Sequence, residues 1–226
     1  MIPSASAGGI FIFTFTAMQI DTLNNVWNQL LEPYTKSQAL IDQGFEMITR
    51  QYSAADRHYH NLHHLYALLQ LQLEHSDLIA DNENFLLAIF FHDLVYDVKQ
   101  ADNEEQSAMA AAEYLFQTSY PAADIEGVMH LIRATKTHIN MNAHPDLDYF
   151  LDFDLSILGT PADVYEGYAK QIREEYSIYP DEVYNTGRKK VLQHFLDQPS
   201  IFKTDGFREQ RETIARQNLL TELQSL

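Results

Sequence analysis

At 226 residues and 46% hydrophobic, the chain suits one domain with a sizeable core. It has no cysteine, which excludes disulfides and thiolate metal sites; a metal would have to sit on imidazole and carboxylate, a donor set suited to Mn, Fe, Co, Ni or Zn. The formal net charge of -17 argues against bulk nucleic-acid binding, yet leaves room for a small phosphorylated substrate beside a cation and a few local Arg or Lys residues.

The chain opens on MIPSASAGGIFIFTFTAMQ, an apolar run with no basic residue before it and too short to span a bilayer. Residues 1–17 are read as a start-site extension or disordered tail, with translation starting at Met18; an inefficient export signal is the alternative. Residues 18–226 form the domain. Apolar residues recur at helical intervals over Asp21–Leu31, Ser37–Tyr52 and His63–Leu73. Asn84–Val95 is apolar on all faces, as a buried central helix would be. Helices are also predicted over Asn103–Phe116, Ala122–Thr135 and Leu147–Leu158. Thr160-Pro161-Ala162-Asp163 reads as an N-cap, a proline at the first helical position and an acid in the first turn, and Pro180-Asp181-Glu182 repeats the theme. Pro121, Pro145 and Pro199 fall between periodic segments, where a helix must stop. Strand-like alternation is confined to Gly9–Ala17. The expectation is a single-domain, all-α helical bundle in the cytoplasm, with no membrane contact.

Three short stretches carry chemistry. RHYHNLHHLYALL (Arg57–Leu69) holds His58, His60, His63 and His64. AIFFHDLVYD places His92 and Asp93 side by side in the most apolar segment of the chain, where two ionisable groups are costly to bury without partners. FDLSILG sets Asp154 among Leu151, Phe153, Leu155, Ile157 and Leu158, with Asp152 as a competing and more easily solvated acid. The bland reading of His92 and Asp93 is a helix end facing water. The second acid in an apolar helix tips the reading towards a site.

A histidine segment, a His-Asp pair and a distant Asp, in that order, resemble the HD-domain superfamily of metal-dependent phosphohydrolases, and in particular its small bacterial members. NEEQSA (Asn103–Ala108), LIRATKTH (Leu131–His138), IREEY (Ile172–Tyr176), GRKKVLQHFL, IFKT and ARQNLLTEL extend the resemblance over about residues 20–224. It implies an HD-type helical bundle and one divalent metal ion on His64, His92, Asp93 and Asp154. His64 fits the first ligand best because Leu65, Leu68, Leu69 and Leu71 follow it. It lies one helical step before that stripe and can point inward. His60 is four residues earlier and shares its face if the helix extends that far, as a second ligand or a substrate contact. His63 points about 100° away on helical geometry, and His58 is expected at the surface.

The implied reaction is hydrolysis of a small phosphoester, nucleotide or pyrophosphate by a metal-activated water. Asp97, four residues after Asp93 and so on its helical face, Glu104 and Glu105 are candidates to orient that water or protonate the leaving group; a solvated first turn is the plainer reading of the two glutamates. Arg57, Arg133, Lys136 and His138 are candidate substrate contacts beside His60, each with ordinary surface charge as its alternative. His130 and His138 would supply a second ion in two-metal members, but their spacing does not match. A di-iron oxygenase on the same scaffold and a non-catalytic metal-containing binding module are the rival readings. Arg173, Glu174, Tyr176, Arg188 and Arg216 read as a structural ion-pair network. His75, His144 and His194 are expected at the surface, and Trp27 in the core.

Overall fold

Polar caps and prolines set where the helices start. The computed structural model describes residues 15–141 and 143–226, and among these it is all-helical, with ten α-helices and no strand. Helix α1 spans Ala17–Leu31 and starts on a capping box made by Thr16 and Gln19. It begins four residues ahead of the expected Asp21. Residues 1–14, most of the segment read as an extension, lie outside the described residues. Phe15 packs edge-on against His63, with ring centroids 4.9 Å apart.

Ser37 caps α2 (Gln38–Tyr52), and Asn61 caps α3 (Leu62–His75) by accepting from the His63 amide at 2.8 Å. Helix α4 spans Asn82–Phe91, and Phe85, Leu87, Ala88, Ile89, Phe90 and Phe91 are wholly buried. It packs on α1 and α3, on α5 (Asn103–Leu115) and on α6 (Ala122–Ala134), which explains why no face of it is polar. Fully burying one such phenylalanine contributes about 2–3 kcal/mol. Trp27 sits at 0% exposure against Phe90 and Phe91, and its indole N–H donates to the Ile41 carbonyl at 2.9 Å. Gly44 lets α2 approach this cluster: a Cβ there would lie 2.5 Å from Tyr114 and 2.6 Å from Trp27.

Helix α7 is short, Leu147–Asp154, and tightens into a 3-10 turn over Leu155–Gly159. Helix α8 (Ala162–Glu175) follows Pro161, which takes the N-cap position itself rather than the first helical one. Helices α9 (Asp181–Asp197) and α10 (Asp205–Ser225) complete the fold, and α10 lies along the 155–159 turn, α8 and α9. Among the described residues no helix is long and apolar enough to cross a membrane.

One boundary departs from expectation in a way that matters for the site. The helix predicted to reach Val95 stops at Phe91, with His92 as its C-cap. The buried Arg57 guanidinium reaches the backbone just beyond. Its Nη1 donates to the Asp93 carbonyl at 2.6 Å, and its Nη2 to the Leu94 carbonyl at 2.8 Å. Those carbonyls are therefore satisfied by a side chain instead of by a further helical turn.

Candidate metal centre

Four side chains from three segments converge. The Nε2 atoms of His64, on α3, and His92, at the end of α4, lie 3.1 Å apart. Asp93 Oδ2 lies 3.1 Å from His92 Nε2 and 3.7 Å from His64 Nε2. Asp154 Oδ1, from the end of α7, lies 3.4 Å from His64 Nε2 and 3.9 Å from His92 Nε2. The ligand atoms of His64, His92 and Asp154 all fall within 4.8 Å of one another, so this group can hold a metal ion.

The donor set fits a first-row divalent cation. With metal–ligand bonds of about 2.0–2.2 Å, neighbouring ligand atoms stand roughly 3.0–3.5 Å apart, close to the spacings above. His92 Nδ1 is 2.9 Å from the Ile89 carbonyl, which fixes the proton there and turns the Nε2 lone pair to the centre. The two Nε2 atoms are close enough to share a proton in an N–H···N hydrogen bond, or to ligate one ion in its place. Burial lowers the pKa of His64 and would lower that of His92. Asp93 and Asp154 outweigh burial at His92 and push its pKa up to about 9. Burial alone would raise both carboxyls, but the facing imidazoles hold Asp93 and Asp154 well below the usual carboxylate range.

Two devices align the segments. Arg57 Nη1 also donates to the His60 carbonyl, at 3.1 Å, so one guanidinium staples the histidine segment to the His92-Asp93 turn. It is stacked near the rings of Tyr52 and Tyr96, 5.0 and 5.4 Å from their centroids. The second device is Glu175, 4% exposed on α8. Its Oε1 accepts from the amides of His58, Tyr59 and His60 at 2.9, 2.7 and 2.8 Å. Its Oε2 lies 2.7 Å from His60 Nδ1 and accepts from the Tyr96 hydroxyl at 2.9 Å. Burial alone would raise its pKa, but the His60 ring and the backbone donors hold it down to about 2.

The candidate substrate and acid–base residues divide. His60, Glu104 and His138 line a small cavity of about 240 Å³ that includes Asp93 and Asp154, and Lys136 joins them in the adjoining cavity of about 730 Å³. His138 Nε2 is 2.9 Å from Asp154 Oδ2, and the residue is held at a φ of 52°. Lys136 hydrogen-bonds the Ala101 carbonyl and lies 3.8 Å from Glu104.

The others are not brought to the centre. Arg57 spends its guanidinium on backbone carbonyls. Arg133 grips Glu105 through Nε and Nη2 at 2.7 and 2.9 Å and reaches Glu126 at 2.9 Å, a surface pairing that takes Arg133 and Glu105 together. Asp97 does not share a helical face with Asp93, because the helix has ended; its side chain accepts from the Lys99 amide at 2.9 Å. His130 packs against His144, with ring centroids 5.7 Å apart, and does not join His138 in either cavity.

Asp152, expected to be the more easily solvated acid, is wholly buried and accepts from the Lys203 and Thr204 amides at 2.6 and 2.8 Å. His58 is half-buried, with Nδ1 3.1 Å from Glu174 Oε2. His75 is also half-buried, against Phe153 and Phe207. Arg188 and Glu222 form a buried pair at 2.7 Å, and Arg173 and Arg216 pair with Asp181 and Glu212.

Glu175 was missed in the sequence. Its signal is its place on α8: Tyr165, Tyr168 and Ile172 mark the inward stripe, and Glu175 is the next residue on it. Comparison of the chain with family models, with curated proteins and with solved structures returned no match.

Proposed function

We propose that the chain is a metal-dependent phosphohydrolase of the HD-domain type, acting on a small phosphoester. The observation that carries this reading is the convergence of His64, His92, Asp93 and Asp154 beside a cavity large enough for an organic substrate. A divalent ion held there would supply Lewis acidity towards a phosphoryl oxygen and lower the pKa of water.

The chain's own residues do the rest. His60 has one nitrogen on Glu175 and lines the cavity, so Nδ1–H is anchored and Nε2 is the atom left to serve the substrate. Burial opposes its charged form, but Asp93 and Glu175 outweigh burial and raise its pKa. His60 Nε2 is the atom placed to pass a proton to the departing ester oxygen, in the role first expected of a carboxylic acid. The Tyr59 and Tyr96 rings flank His60 at 5.0 and 4.3 Å. Lys136 lines the larger cavity and would offer a positive charge to the phosphoryl oxygens, and Glu104 beside it is a further carboxylate within reach of water there.

The test is a screen of phosphomonoesters with wild type and Asp93→Ala. Turnover abolished in the variant, with helical circular dichroism retained, is the expected result. Activity retained in Asp93→Ala overturns the reading.

A further inference from the structure

The larger cavity is an open groove between α8, α9 and the 155–159 turn. Its walls are Tyr168 and Ile172 on α8, Tyr176 just past its end, and Tyr184, Val191 and Phe195 on α9. Leu155 and Leu158 form its floor. At one end it meets His60, His138 and Asp154, which the small cavity at the metal centre shares. A ligand whose phosphoryl group sits at the centre must run its remainder along these rings.

Charge narrows the class. Arg188 lines the groove but is committed to Glu222 at 2.7 and 3.0 Å, with its guanidinium 5.4 Å from the Tyr168 ring centroid. The other Lys or Arg residues in the lining are Lys136, beside Glu104, and the exposed Lys190. A polyphosphate chain needs a track of cations, and this groove offers aromatic and aliphatic side chains in its place.

Resting on the phosphohydrolase reading above, we infer that the substrate is a phosphomonoester of a bulky, ring-bearing apolar alcohol, whose ring occupies the α8–α9 groove. In its hydrolysis the oxygen of water bonds to phosphorus, the bond from phosphorus to the ester oxygen breaks, and the alcohol leaves with a proton. Gly187, exposed on α9, also lines the groove and leaves room for a larger side chain: a Cβ built there meets nothing within 4 Å.

The experiment is calorimetric titration of the full chain, with Mn²⁺ present, using 2-naphthylmethylphosphonate, ethylphosphonate and adenosine monophosphate. Burying roughly 100 Å² more apolar surface makes the naphthyl compound bind about fiftyfold tighter than the ethyl compound. Gly187→Trp, which fills the groove, cuts that ratio at least tenfold, and Val191→Trp, at an exposed position, gives a second filling variant should the first fold poorly. Equal affinity for the two phosphonates, tighter binding of the nucleotide, or an unchanged ratio in a folded filling variant overturns the inference. Turnover of 2-naphthylmethyl phosphate is then read separately. Selective binding without turnover upholds the groove and defeats the hydrolase reading. Equal kcat/KM for the naphthylmethyl and ethyl esters upholds the hydrolase and defeats the groove.

Discussion

Replacing Glu175 with Gln removes the charge that holds the histidine segment. The carboxylate takes three amides on Oε1, and His60 and Tyr96 on Oε2. Its pKa is about 2 in the fold, against an ordinary 4.5. That difference corresponds to about 3 kcal/mol of stability at neutral pH. In Glu175→Gln the amide oxygen can keep the three backbone donors, but the new NH₂ faces the His60 and Tyr96 donors. The expected loss is about 3 kcal/mol at pH 7, or roughly 6–12 °C in Tm for a chain of this size. A depressed carboxyl stabilises above its unfolded pKa and ceases to do so as pH falls through the folded value. On the acid side the gap between wild type and variant should be full near pH 5, about half closed near pH 3, and gone below about pH 2. Urea unfolding followed by circular dichroism at several pH values measures it; other carboxylates titrate in both proteins and cancel. Equal stability at pH 7, or a gap that stays constant down to pH 3, would refute the reasoning.

Arg57→Lys keeps a charge but cannot span the His60, Asp93 and Leu94 carbonyls at once, so about 2–4 kcal/mol of stability should be lost in denaturant titration, and metal affinity with it. A variant as stable as wild type would make Arg57 incidental. His60→Gln should slow hydrolysis of alkyl phosphates by about 10²–10³ while slowing p-nitrophenyl phosphate, whose leaving group needs no proton, by less than about tenfold. Equal slowing of both esters would assign His60 to structure alone.

Several helix starts were legible because they rest on local chemistry. Ser37, Asn61, Pro161 and Pro180 each do their work within a few residues of themselves. The end of α4 was not legible, since FFHDLV contains neither glycine nor proline. Just past that end an arginine from 36 residues earlier takes the Asp93 carbonyl, and the misplacement of Asp97 followed from the early end of the helix. The metal candidates could be read as ionisable residues in apolar segments. Asp152 and Asp154 could not be separated that way, because both lie in such a segment. Two residues apart on a helix they point about 200° from each other, one towards the Lys203 and Thr204 amides and the other towards His64. Glu175 carries a periodic signal, yet its neighbour Glu174 is of the same type and is exposed.

The most direct measurement is metal content per chain by elemental mass spectrometry, on protein reloaded with Mn, Fe, Co, Ni or Zn, for wild type and for His60→Ala, His63→Ala and His64→Ala. Near one ion per chain in wild type, His60→Ala and His63→Ala, and none in His64→Ala, is the expected result. No ion in reloaded wild type, or an ion kept by His64→Ala, would contradict a centre built on His64, His92, Asp93 and Asp154.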